Sequence, residues 1–225
     1  MKHMKPHLLA ALFGLLAACG AQAQDLALKV EHEITTLGAD GVTRITRFGE
    51  RLVRRDQQSW VTRILPPGAH EESDHQAGGK GHKHMDIAAA ARWVTRQTDE
   101  QLQVRLVNAH EKVIVSVAPV DYNNIGFDGK WTSASQLLDP EQLKRMKPAK
   151  RAAPAGTRWF EGGTRDTQVQ VLWDESAAYP RRIESANTRG TQRSTMVVTR
   201  ETMPGQMPWA GLKGYTQKEY ADLLD

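Results

Sequence analysis

Residues 70–86 carry the densest potential for chemistry in this sequence. His70, His75, His82 and His84 are four of its 8 histidines, and Glu71, Glu72, Asp74, Met85 and Asp86 stand among them. Neutral imidazole and carboxylate ligate divalent metals, and a thioether adds a soft ligand suited to copper. His82 and His84 are two apart, so on an extended strand they share a face, and from a loop they can chelate one ion. With His70 and His75 folded back across Gly78, Gly79 and Gly81, and with Met85 alongside, they form a candidate copper or zinc site. The glycines make such a site easy to assemble but entropically loose, which suits capture or transfer better than catalysis. The plainer reading of the same stretch is a solvated polar loop.

A second set of residues points to apolar binding. His32 alternates with Leu28, Val30 and Ile34, so it lies on the apolar face of a strand, where a histidine serves more often as a core or pocket-wall residue than as a ligand. Six tryptophans are many for this length; they fill a core or line a groove. His32, Trp60, Trp159 and Trp173 are the expected wall of a ligand-binding surface.

Catalysis finds little support. The chain has no Gly-x-Ser-x-Gly elbow and no His-Glu-x-x-His, and the five-residue step from His70 to His75 does not put both on one helical face. Its single cysteine, Cys19, leaves no thiol nucleophile, CxxC or haem motif in the body of the chain. No catalytic residue is expected, and the chain reads as a non-enzyme.

The elements that must position these residues begin after a leader. A cationic start, Met1 to His7, precedes the apolar run Leu8–Ala18, which is too short to span a bilayer and has the length of a signal-peptide core. Ala21-Gln22-Ala23 offers a cleavage site that ends a signal peptide at 1–23. Leu16-Ala17-Ala18-Cys19-Gly20 resembles a bacterial lipobox, which implies a lipidated Cys19 and membrane association through it. Either exit exports the protein to the cell envelope, in the periplasm or on the periplasmic face of the outer membrane. Lys2 and Lys5 leave with the leader, so the net charge falls from +4 to about +2, not the field of a nucleic-acid binder.

Residues 24–225 read as a single β-rich domain with a His-rich insertion at 66–86. Alternation marks strands from Leu26 to Leu65, at 101–118, and again from Trp159 to Arg200. Arg44, Arg47, Arg51, Arg54, Arg55 and Arg63 lie on the early strands and read as the wetted outer face of an antiparallel sheet, with an anion-binding patch as the lesser alternative. Residues 119–131 read as a loop whose spacing is wrong for calcium. A helix is expected at 87–94, another from Asp139-Pro140-Glu141 to about Met146, and a C-terminal helix at 216–225 opened by the capping box Thr216–Glu219. Glu161-Gly162-Gly163 reads as a turn, and Lys147–Gly156 as a linker.

Val169-Gln170-Val171-Leu172-Trp173-Asp174 followed by Tyr179-Pro180-Arg181-Arg182-Ile183-Glu184 resembles the outer-membrane lipoprotein carrier superfamily. That group takes in the periplasmic lipoprotein chaperone, its outer-membrane receptor and the N-terminal domain of the sigma-E regulator. The resemblance implies a strongly curved antiparallel sheet, an incomplete barrel with a few short helices over an apolar cavity. It also implies an apolar ligand, a lipoprotein or a membrane-protein partner, or an envelope-stress regulatory role. The His-rich insertion departs from that pattern.

Overall fold

The computed structural model describes residues 25–65 and 89–223. Twelve strands form one sheet. In chain order they are β1 (Leu26–Leu37), β2 (Thr43–Arg55), β3 (Gln58–Ile64), β4 (Ala91–Arg96), β5 (Leu102–Asn108), β6 (Val113–Val117), β7 (Lys147–Pro148), β8 (Thr157–Gly163), β9 (Thr167–Asp174), β10 (Tyr179–Asn187), β11 (Gln192–Arg200) and β12 (Thr216–Glu219). The spatial order is β12-β6-β5-β4-β3-β2-β1-β11-β10-β9-β8-β7. All neighbours are antiparallel except β12, which runs parallel to β6. β12 and β7 stand at opposite ends and do not pair, so the sheet is an incomplete barrel, as expected. β1 holds the two halves together, paired along most of its length to β2 on one side and β11 on the other.

Side chains alternate across a strand and directly opposed residues share a face, so the register divides the sheet into two surfaces. One surface carries Leu26, Leu28 and Val30 of β1, Leu52 of β2, Val94 of β4, Val104 and Leu106 of β5, and Val198 of β11, all buried. The connection from β6 to β7 covers part of this surface. It contains a 3-10 turn (Pro119–Ile125), helix α1 (Trp131–Gln136) and helix α2 (Pro140–Lys144). Phe127 and Ala134 complete one cluster of the core, and Leu143 packs with Val171 and Trp173 in another. The sheet anchors α1 by its C-terminal carbonyls: the buried Arg54 donates to the Ser135 carbonyl at 3.0 Å, and Ser59 donates to that of Ala134 at 2.6 Å. These are acceptors that a helix end leaves without a partner of its own. α2 begins as expected, with Asp139 accepting from the Glu141 N–H at 3.0 Å and Pro140 in the first turn.

The other surface is mostly wet and ion-paired. Lys29–Glu31, Arg47–Glu33, Arg51–Glu201 and Arg55–Asp25 lie along β1 and β2. Trp60, Trp93, Ala91, Val107 and Ile114 make one apolar area on this surface, and Trp209, Leu212 and Tyr215 of the C-terminal segment cover it.

The segment that carries the family resemblance folds as β9, a four-residue turn and β10. Burial pushes the Asp174 carboxyl up, but the Ala177 N–H, the Ser176 hydroxyl and Arg181 together hold it below the ordinary carboxylate range.

Four expectations are corrected. Residues 91–96, read as part of a helix at 87–94, form β4: their alternating partners on β3 and β5 outweigh the helix propensity of an alanine run. Thr216–Glu219 is strand β12 rather than a capping box, and Tyr220–Leu223 is one 3-10 turn. Gly162 and Gly163 continue β8 instead of turning the chain. A Cβ at Gly162 would lie 2.9 Å from Met146 Cγ, so this glycine lets β8 pass under the end of α2. The loop expected at 119–131 holds the 3-10 turn, and Asp128 accepts from Ser133 in the first turn of α1 at 2.7 Å.

Candidate functional site

The surface bearing the helices changes character along the central strands. Leu26, Leu28 and Val30 are buried, but the next residues on the same face, His32 and Ile34, are only partly so. The same step occurs on the neighbours, from Leu52 to Phe48 on β2 and from Val198 to Met196 on β11. His32, Ile34, Phe48 and Met196 therefore form a half-open aromatic and aliphatic surface. Their mutual positions follow from the register, in which His32 opposes both Phe48 and Met196.

A charged cluster borders it. His32 stacks on Phe48 with ring centroids 4.4 Å apart and planes at 15°, and the Arg63 guanidinium lies 3.9 Å over the same Phe48 ring. Three planar groups from three adjacent strands thus make one wall. His32 Nε2 lies 3.1 Å from Glu50 Oε2, and Glu50 stands directly across from Arg63. One strand further on, Arg92 shares the face, with its guanidinium 5.4 Å from the Phe127 ring. The hydrogen bond from His32 holds the Glu50 carboxyl below its ordinary value against the opposing effect of burial, and the charges of His32, Arg92 and Arg63 add to it. Burial pulls Arg92 down, with Glu50 and Asp128 acting against it. The arrangement suits recognition: planar and apolar surface beside charge, in a setting dry enough for that charge to matter.

The four expected wall residues do not meet. His32 and Trp173 share the helix-bearing surface, but Trp173 is sealed with Val171 and Leu143 beneath α2. Trp60 and Trp159 point to the opposite surface, by their pairing with Val53 and Leu172. Trp60 is buried against Trp93 and the C-terminal segment, and Trp159 lies under the Arg151 guanidinium at 3.8 Å. Core filling accounts for these three tryptophans. Of the four, His32 borders a groove of about 560 Å³, but apart from His32 and Phe48 its walls are mainly outward residues of the wetted surface, among them Lys29, Glu31, Glu33, Arg47 and Arg182. A larger groove of about 830 Å³ runs over the ends of β8–β11 between Arg145 and Arg193, and its lining is mainly polar. His70, His75, His82, His84 and Met85, and Cys19 with the leader, lie outside the described residues.

Sequence reading missed Phe48, Glu50 and Arg92 as site residues, and named Arg63 only within the group of early-strand arginines. Alternation held the signal: Glu50 and Phe48 follow Leu52 and Arg54 at two-residue steps on the inward side. The arginines read together as an outer face divide by parity. Arg47, Arg51 and Arg55 are outward and paired, whereas Arg54 and Arg63 are inward.

No family model and no curated protein matches the chain. Among solved structures it is similar to one described as an outer membrane lipoprotein-sorting protein domain from Vibrio parahaemolyticus, at 10% identity and a TM-score of 0.37, over 83% of this chain and 89% of that one. It is also similar to a LolA superfamily protein from Nitrosomonas europaea, at 9% identity and a TM-score of 0.32, over 82% and 88%. The MucA/MucB complex of Pseudomonas aeruginosa matches at 9% identity and a TM-score of 0.39, over 86% of this chain but 56% of that one. The chain spans 33% of another structure it is similar to, PNGF-II.

Proposed function

We propose that this chain is a non-enzymatic protein of the bacterial envelope. It binds an apolar ligand, or a lipidated or partner segment, on the helix-bearing side of its open sheet. One observation carries the reading: the inner face is sealed by helices at one end and left half-open at the other, where His32, Ile34, Phe48 and Met196 present apolar and aromatic surface. Partly exposed apolar surface beside fixed polar groups is the usual make-up of a ligand site. The open end takes either a small apolar ligand or a segment of a partner protein, as an envelope-stress binding module would. Copper or zinc handling by His70, His75, His82, His84 and Met85 is a separate proposal that rests on residue type and spacing.

Native mass spectrometry of the chain recovered from the periplasm separates these readings. The proposed function predicts a non-covalent adduct of lipid mass, lost when Met196→Arg fills the open surface. A copper or zinc adduct lost on combining His82→Ala with His84→Ala supports metal handling. Bare protein, with no uptake of added acyl compounds, contradicts the proposed function.

A further inference from the structure

We infer that the inner face selects its ligand by charge: it takes an amphiphile with an anionic group, a carboxylate or a phosphate, that pairs with Arg63 and Arg92. This rests on the proposed function and narrows its ligand class. Two guanidinium groups and His32 surround one carboxylate, Glu50, on four adjacent strands of the same face. Glu50 is engaged by His32 at 3.1 Å. The other acid that acts on Arg92, Asp128, accepts from the Ser133 hydroxyl at 2.7 Å and from the Lys130 N–H at 3.1 Å. Among the described residues neither Arg63 nor Arg92 has a carboxylate within salt-bridge distance, and Arg92 Nε is buried without a hydrogen-bond partner. A buried donor left unsatisfied is costly, and a guanidinium binds carboxylate or phosphate in a planar, two-pronged fashion.

The apolar surface adjoins this cationic excess. Arg63 rests on Phe48, Phe48 on His32, and His32 opposes Met196, with Ile34 two residues further along β1. A chain laid over Ile34 and Met196 brings its head group to the arginines. On the wetted surface Arg47, Arg51 and Arg55 of β2 are already paired with acids, and Arg105 lies over the Trp93 ring.

The test compares dodecanoate, dodecyl phosphate and dodecyl maltoside, each below its micelle concentration, by calorimetry on the full chain. At least one of the two anionic probes is expected to bind about tenfold or more tightly than the maltoside, by a margin that shrinks as salt is raised. The better of the two identifies the head group. Arg63→Met and Arg92→Met each bring the ratio of anionic-probe to maltoside affinity toward one, and Glu50→Gln raises that ratio. Should Arg92→Met fail to fold, Arg63→Met and Glu50→Gln carry the same contrast. Equal affinity for all three probes overturns charge selection and leaves the proposed function standing. Binding of none overturns both.

Discussion

The pair His32–Glu50 shows how little residue type reveals until register is known. As a lone histidine on an apolar strand face, His32 has no distinguishing chemistry; opposite Phe48 and 3.1 Å from Glu50 it becomes the centre of a charged, aromatic wall. The pair has a consequence for acid stability. The folded-state carboxyl of Glu50 is depressed, so its contribution is present above the unfolded value of about 4.5 and is lost as pH falls through the lower, folded value. Glu50→Gln is expected to lower stability near neutrality by about 1 kcal/mol, since the pair is only partly buried, and to make the loss of stability below pH ~4.5 shallower. Urea unfolding between pH 7 and pH 3 measures both effects; an unaltered acid slope contradicts the role given to Glu50. Parity made His32's inward direction readable from the sequence. The same rule, applied to Leu52, Arg54 and Arg63, separates inward from outward arginines, a division that composition alone hides.

The elements differ in how plainly they are written. Long alternating runs gave β1, β5 and β6, and the Asp139-Pro140 start gave α2, because each signal is local, whereas β2 reads as two strand-like stretches, 42–48 and 50–55, and folds as one strand. β4 and β12 were less legible. An alanine-rich run and a capping-box spelling both favour helix locally, and the long-range ladders to β3, β5 and β6 decide otherwise. α1 is a case of the opposite kind. Six residues are too few to hold a helix by themselves, so its place depends on the sheet side chains that take up its last carbonyls. Ser59→Ala removes the 2.6 Å bond to the Ala134 carbonyl in a buried setting and is expected to cost about 1–2 kcal/mol. Faster amide hydrogen exchange in α1, with β9 and β10 unchanged, is the predicted signature; uniform loss across the sheet contradicts it.

At the scale of the whole molecule, the proposed function rests on incomplete coverage. Twelve strands wrap without closing, and the connection from β6 to β7 roofs only part of the inner face. Among the described residues, the part left without a roof carries His32, Ile34, Phe48 and Met196, while Trp173 is spent beneath α2, Trp60 under the C-terminal segment and Trp159 under Arg151. Alternation announces a mostly antiparallel sheet, and its openness is what the resemblance of residues 169–184 implies. The sequence could not announce which aromatics remain available, because that depends on where helices and tail come to lie. The central claim is that ligand occupies this half-open inner surface. Cross-linking with a photoreactive dodecanoate, followed by peptide mapping, tests it most directly. The account predicts label on β1, β2 and β11 around Ile34, Phe48 and Met196; label confined to the opposite surface around Trp93 and Trp209 would contradict it.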